Sequence, residues 1–94
     1  MAVVIVNEMQ GGDESFYDQV TDSVMPGGQL PDGCKDHIAS PMDGGWRVIT
    51  VWDSDEQFQR FRSEKLIPAI QAQGRGDAVA PRIDSQPVHR HITA

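Results

Sequence analysis

The chain has one cysteine, Cys34, so no disulfide can form within it and its stability has to come from packing. A lone thiol fits a reducing, cytoplasmic setting. No apolar run approaches the roughly 20 residues that cross a bilayer. Residues 1–6 lack the basic flank and length of a signal peptide and read as a strand. Basic side chains are scarce, with eight Lys and Arg against 14 Asp and Glu, a formal charge of -6. Nucleic acids and anionic membranes both need a basic patch to neutralise phosphate, so neither is an expected partner. The pairs Gly11-Gly12 and Gly27-Gly28 match no phosphate-binding motif and read as turns, and no repeat or low-complexity stretch occurs. His89 and His91 stand at i, i+2, but spacing marks no third Asp, Glu or Cys, so no metal site is expected. Cys34 has only Lys35 as a basic neighbour, too little to make it a nucleophile.

What is present suits one domain over residues 1–94. Residues 2–8 are β-branched and apolar on both faces, as in a strand buried from two sides. Asp13 is placed to cap a first helix, in which Phe16, Val20 and Val24 recur at four-residue spacing with Tyr17 beside them. Pro26-Gly27-Gly28 ends it. Residues 34–42 alternate weakly, with Lys35, His37 and Ala39 facing one way, and Pro41 marks an edge strand. The Asp43-Gly44-Gly45 turn sends the chain back antiparallel into residues 46–53. There Trp46, Val48, Thr50 and Trp52 share one face and Arg47, Ile49 and Val51 the other. Ser54 with Gln57 resembles a capping box opening a second helix, which carries Phe58 and Phe61 and should kink or restart near Leu66 because of Pro68. Gly74-Arg75-Gly76 stops that helix. A last strand is expected over roughly residues 82–93, interrupted by Pro87.

The order β-α-β-β-α-β predicts a ferredoxin-like α+β domain with a four-stranded antiparallel sheet. The first and third strands, apolar on both faces, take the centre. Two helices cover only one face of such a sheet. Leaving several Val and Ile side chains wet on the other would forfeit several kcal/mol at roughly 25 cal/mol per Å². A homodimer packed through the sheet face is therefore expected.

Gly45-Trp46-Arg47-Val48 through Val51-Trp52-Asp53-Ser54, followed by Glu56, Phe58 and Phe61, resembles the antibiotic biosynthesis monooxygenase-like group of the dimeric α/β-barrel superfamily. His37-Ile38-Ala39 before the turn and Pro87-Val88-His89 near the end are similar to its small uncharacterised members, and the likeness extends over almost the whole chain. The resemblance implies a pocket in each subunit between helices and sheet, taking a small-molecule ligand. It further implies oxidation of an aromatic or polyketide-like metabolite of secondary metabolism with no cofactor, the deprotonated substrate itself giving an electron to oxygen. Such a site needs an apolar cavity, a base and hydrogen-bond donors. Tyr17, Trp46, Trp52, Phe58 and Phe61 are the candidate walls, and His37, His89, Asn7 and Arg47 the candidate catalytic groups. Trp46 and Trp52 lie about 20 Å apart along one strand face, so Trp52 is the better placed for a small cavity. A cyclase or isomerase using the same pocket, or a non-catalytic ligand-binding dimer, are the alternatives. Haem-degrading relatives have an axial His on a helix; the second helix here has none, and Phe61 stands where many monooxygenase-like sequences have a His.

Overall fold

The computed structural model describes residues 1–74 and 80–94. Its elements are β1 (Val3–Gln10), α1 (Glu14–Val24), β2 (Cys34–Met42), β3 (Gly45–Trp52), α2 (Asp55–Phe61), a π turn (Arg62–Leu66), α3 (Ile67–Ala72) and β4 (Ala80–Pro87). Every strand pairing is antiparallel, and the order across the sheet is β2-β3-β1-β4. This is the ferredoxin-like α+β arrangement, with the two strands that are apolar on both faces at the centre.

Register assigns the faces. Val3, Ile5, Asn7 and Met9 of β1 stand beside Trp52, Thr50, Val48 and Trp46 of β3, and all turn toward the helices. They pack with Phe16 and Val20 of α1, Phe58 of α2, and Ala69 and Ile70 of α3. The opposite face carries the half-buried Val4, Val6, Ile49 and Val51, with Ile38 of β2 61% exposed.

Local chemistry sets the element ends. The Asp13 carboxylate accepts the Phe16 N–H at 2.8 Å and starts α1. The β2–β3 turn needs two glycines for different reasons. Gly44 has φ +76°, and a Cβ on Gly45 would collide with the Met9 carbonyl. Ser54 Oγ accepts the Gln57 N–H at 3.2 Å and donates to Gln57 Oε1 at 3.1 Å, so the cap expected for α2 is formed. Pro68 has no N–H to give to the turn before it. The chain widens there into the π turn, with the Ile67 N–H reaching the Arg62 carbonyl, and α3 restarts with Pro68 in its first turn.

Two expectations need correcting. In β2 the register slips between Cys34 and Asp36. Lys35 is therefore the extra, bulged residue and leaves the face shared by His37 and Ala39. It is exposed and pairs with Asp53 at 3.5 Å, while Cys34 joins Trp52 and Phe58 in the core. The last strand, expected to run to residue 93, ends at Pro87. Proline cannot donate to the ladder, and the Val88 N–H makes one further bond to the Ala2 carbonyl at 2.9 Å before pairing stops. Of the expected helix stop, Gly74 is seen at φ +69°; Arg75 and Gly76 lie outside the described residues.

Candidate active site

The core is split into two clusters, one around Met9, Phe16 and Val48 and the other around Ile5, Trp52 and Phe58. A cavity of about 50 Å³ lies between them and draws its walls from both. β1 contributes Ile5 and Asn7, β2 His37, and β3 Thr50 and Trp52; α1 contributes Tyr17, and α2 Phe58 and Phe61. Trp52 and Phe58 meet edge to face at 5.6 Å between ring centroids, and Phe61 lies 5.3 Å from Trp52. Trp52 is held by a hydrogen bond from its Nε1 to Thr50 Oγ1 at 2.9 Å, which also satisfies a hydroxyl inside an apolar row.

Besides Thr21 and Thr50, three polar side chains line this space: Asn7, Tyr17 and His37. The Tyr17 hydroxyl and His37 Nε2 are 2.5 Å apart, and the Tyr17 ring lies between the rings of His37 at 5.9 Å and Trp46 at 5.7 Å. Burial lowers the His37 pKa below its ordinary value, favouring the neutral imidazole. A neutral ring has one N–H and one lone pair. If Tyr17 donates to Nε2, then Nδ1 carries the proton; if Nε2–H donates to Tyr17, Nδ1 is the base. Among the described residues, His37 Nδ1 is buried with no hydrogen-bond partner, and so is Asn7 Oδ1 on a residue only 8% exposed. Asn7 stands opposite Val48, and His37 opposite Thr50, two strands away and two residues along. Their backbones are thus roughly 12 Å apart, and a ligand touching both must be extended.

The site candidates divide as follows. Asn7, Tyr17, His37, Trp52, Phe58 and Phe61 line the cavity. Trp46 does not, because six residues along the strand carry it away from Trp52; it stacks behind Tyr17 instead. Arg47 faces the other side of the sheet, where its guanidinium binds Glu8 at 2.7 Å. His89 lies exposed beyond the end of β4, so a strand position cannot aim it at the cavity. Neighbouring His91 pairs with Asp36 at 2.8 Å. Cys34 is buried and its thiol is pushed up to about 11, chiefly by desolvation, which keeps it protonated and unreactive. Sequence reasoning missed nine of the fifteen described lining residues, most of them apolar core side chains such as Ile5 and Val20, and with them Thr50 and Leu66. Thr50 was detectable as the hydroxyl between Val48 and Trp52; Leu66 was not, because the π turn resets the helical phase before it.

No family model and no curated protein matches the sequence. Solved structures do. SnoaB, a cofactor-independent oxygenase from Streptomyces nogalater, superposes with a TM-score of 0.67 at 17% identity, over 99% of this chain and 98% of that one. A Deinococcus radiodurans protein provisionally named an antibiotic biosynthesis monooxygenase gives 0.62 at 14% identity, over 100% and 98%. The chain has the antibiotic biosynthesis monooxygenase-like fold. A variant of MhuD, crystallised with two manganese protoporphyrin IX molecules per active site, has the same fold, with a TM-score of 0.63 at 17% identity over 98% and 99%. A haem does not fit the residues present here. The imidazole lining the cavity is His37 on the sheet with its Nε2 on Tyr17, the α2 side offers only Phe58, Phe61 and Leu66, and a space of about 50 Å³ is far too small for a porphyrin. Among the described residues no helix is long and apolar enough to cross a membrane.

Proposed function

We propose that this chain is a small-molecule enzyme of the monooxygenase-like type, oxidising an aromatic or polyketide-like metabolite with molecular oxygen and without a bound cofactor. The observation that carries this is the half-buried Tyr17–His37 pair on the wall of a cavity that Trp52, Phe58 and Phe61 also line, with His37 Nδ1 left without a partner among the described residues. The likeness in fold to a cofactor-independent oxygenase supports it. His37, in the tautomer with Nε2–H on Tyr17, takes the phenolic proton at Nδ1, and the phenolate supplies electrons to oxygen. For a phenol with one ring C–H to lose, the C–H and O–H become two carbonyls while O₂ supplies one carbonyl oxygen and leaves as water. Asn7 Oδ1 accepts a hydrogen bond from a second hydroxyl at the far end of the ligand and fixes its orientation.

Oxygen uptake and product formation with two- and three-ring phenols test the proposal. Activity in the native chain that falls about 10²–10⁴-fold in His37→Gln is the expected result. Absence of uptake and of product across the panel would count decisively against oxygenation. A cyclase or isomerase is the second reading, favoured by the same pair because a hydroxyl and an imidazole suffice for acid–base chemistry; its turnover would persist without oxygen. A non-catalytic ligand-binding dimer would be expected to turn its polar groups away from the cavity, and of His37, His89 and Asn7 only His89 does so.

We further propose that two copies pair through the sheet face opposite the helices. Val4, Val6, Ile38, Ile49 and Val51 form an apolar centre there, and the Glu8–Arg47 ion pair beside it is already internally neutralised. A twofold axis through that face brings like apolar residues together.

A further inference from the structure

We propose that Phe61 is the gate of the cavity, and that a surface recess behind it is the route by which a neutral, flat aromatic ligand enters. This rests on the cavity being the ligand site. Among the described residues, Phe61 is the one that lines both spaces: the inner cavity, and an outer recess of about 180 Å³ bounded by Pro31, Gln57, Arg60 and Lys65.

A moving wall is required by size. One water needs roughly 10–15 Å³ of such space, so the 50 Å³ inside holds only a few waters and no fused ring system. Most walls cannot yield. Asn7 and Thr50 sit on central strands paired on both sides, Trp52 is 1% exposed and tied to Thr50, and Phe58 is 3% exposed. Phe61 is different. It is only half-buried, it touches Trp52 by one ring contact, and it ends α2 where the π turn begins. Ser63, Glu64 and Lys65, which follow on the π turn, are exposed, and packing resumes only at the half-buried Leu66, so the backbone next to Phe61 has little to resist a shift. Rotation of the Phe61 ring toward the recess joins the two spaces. The recess carries Arg60 and Lys65 against Asp32 and Glu64, a balance that attracts neither cations nor anions and leaves a neutral ligand as the suitable passenger.

Stopped-flow fluorescence with 2-naphthol as the probe tests the gate. A gate controls entry and exit alike, so Phe61→Ala should raise both association and dissociation rates about tenfold while changing Kd much less. Phe61→Trp should lower both rates, and Phe61→Leu, which keeps most of the packing on Trp52, should fall between wild type and Phe61→Ala. Circular dichroism confirms that each variant is folded. If only the dissociation rate changes, Phe61 is a wall and the gate is overturned while the cavity stands. Binding that survives in Val20→Trp, whose indole would fill the cavity, overturns gate and cavity together, as does failure of 2-naphthol to bind wild type and Phe61→Ala alike.

Discussion

His37 and Asn7 are where a physical cost is concentrated. Burial holds the His37 pKa below its ordinary 6.5. Below about pH 6.5 the unfolded chain takes up a proton that the folded chain resists, so unfolding is favoured by acid. This contribution to stability is complete above the unfolded pKa, diminishes as pH falls through 6.5, and levels off once the folded imidazole also protonates. Urea denaturation of wild type and His37→Gln between about pH 7.5 and about pH 5 should show wild type losing more stability than the variant. Parallel pH profiles would mean that the imidazole is solvated. Asn7 Oδ1, buried without a partner among the described residues, is a group whose replacement by an apolar one should help folding. Asn7→Val is expected to stabilise the protein by about 1 kcal/mol and at the same time weaken binding of a phenolic ligand. A loss of stability in that variant would show that the amide has a partner in solution.

At the level of elements, α2 matters most because it carries two cavity walls, Phe58 and Phe61, on seven residues. So short a helix depends on its ends. Ser54 and Gln57 supply the cap, and the Gln57 side chain lies over Gly33, where φ is +88° and a Cβ would strike the amide group. Loop, cap and helix are thus one packed unit. Ser54→Ala should cost about 1 kcal/mol in urea denaturation, with Trp52 fluorescence reporting loosening around Phe58 before global unfolding. A single sharp transition at an unchanged midpoint would show that the cap contributes nothing. On the far side of Phe61, Pro68 forces the π turn, so the same short helix is firm at its start and compliant at its end.

For the whole molecule, the decisive feature is a sheet with helices on one face and an apolar centre on the other. Light scattering after size exclusion should give a dimer at micromolar concentration for the native chain. Ile49→Glu, which puts a charge on the central strand of that face where pairing would bury it, should give a monomer that keeps its circular dichroism. A monomeric native chain would remove the second copy from the proposal. The cavity lies on the helix side of the sheet, so loss of pairing should leave 2-naphthol binding largely intact.

The order of elements, the central place of β1 and β3, the caps at Asp13 and Ser54, and the break near Leu66 are all written in the chain. Each depends on residues within a few positions of one another: a period of two or of 3.6, a side chain three residues from its N–H, a proline without one. Six of the nine candidate site residues reached the cavity because strand alternation and helical spacing already assigned their faces. The rest depends on contacts between segments distant in the chain. The bulge at Lys35 and the end of β4 at Pro87 are set by what the neighbouring strand offers. The Tyr17–His37 bond joins residues 20 positions apart across two layers, and no local signal encodes it. Arg47 and His89 carry suitable chemistry, but pairing with Glu8 and release from the β4 ladder place them elsewhere. The size of the cavity, and the position of Phe61 between it and the surface, follow from how two core clusters fail to meet, which is a property of packing in three dimensions.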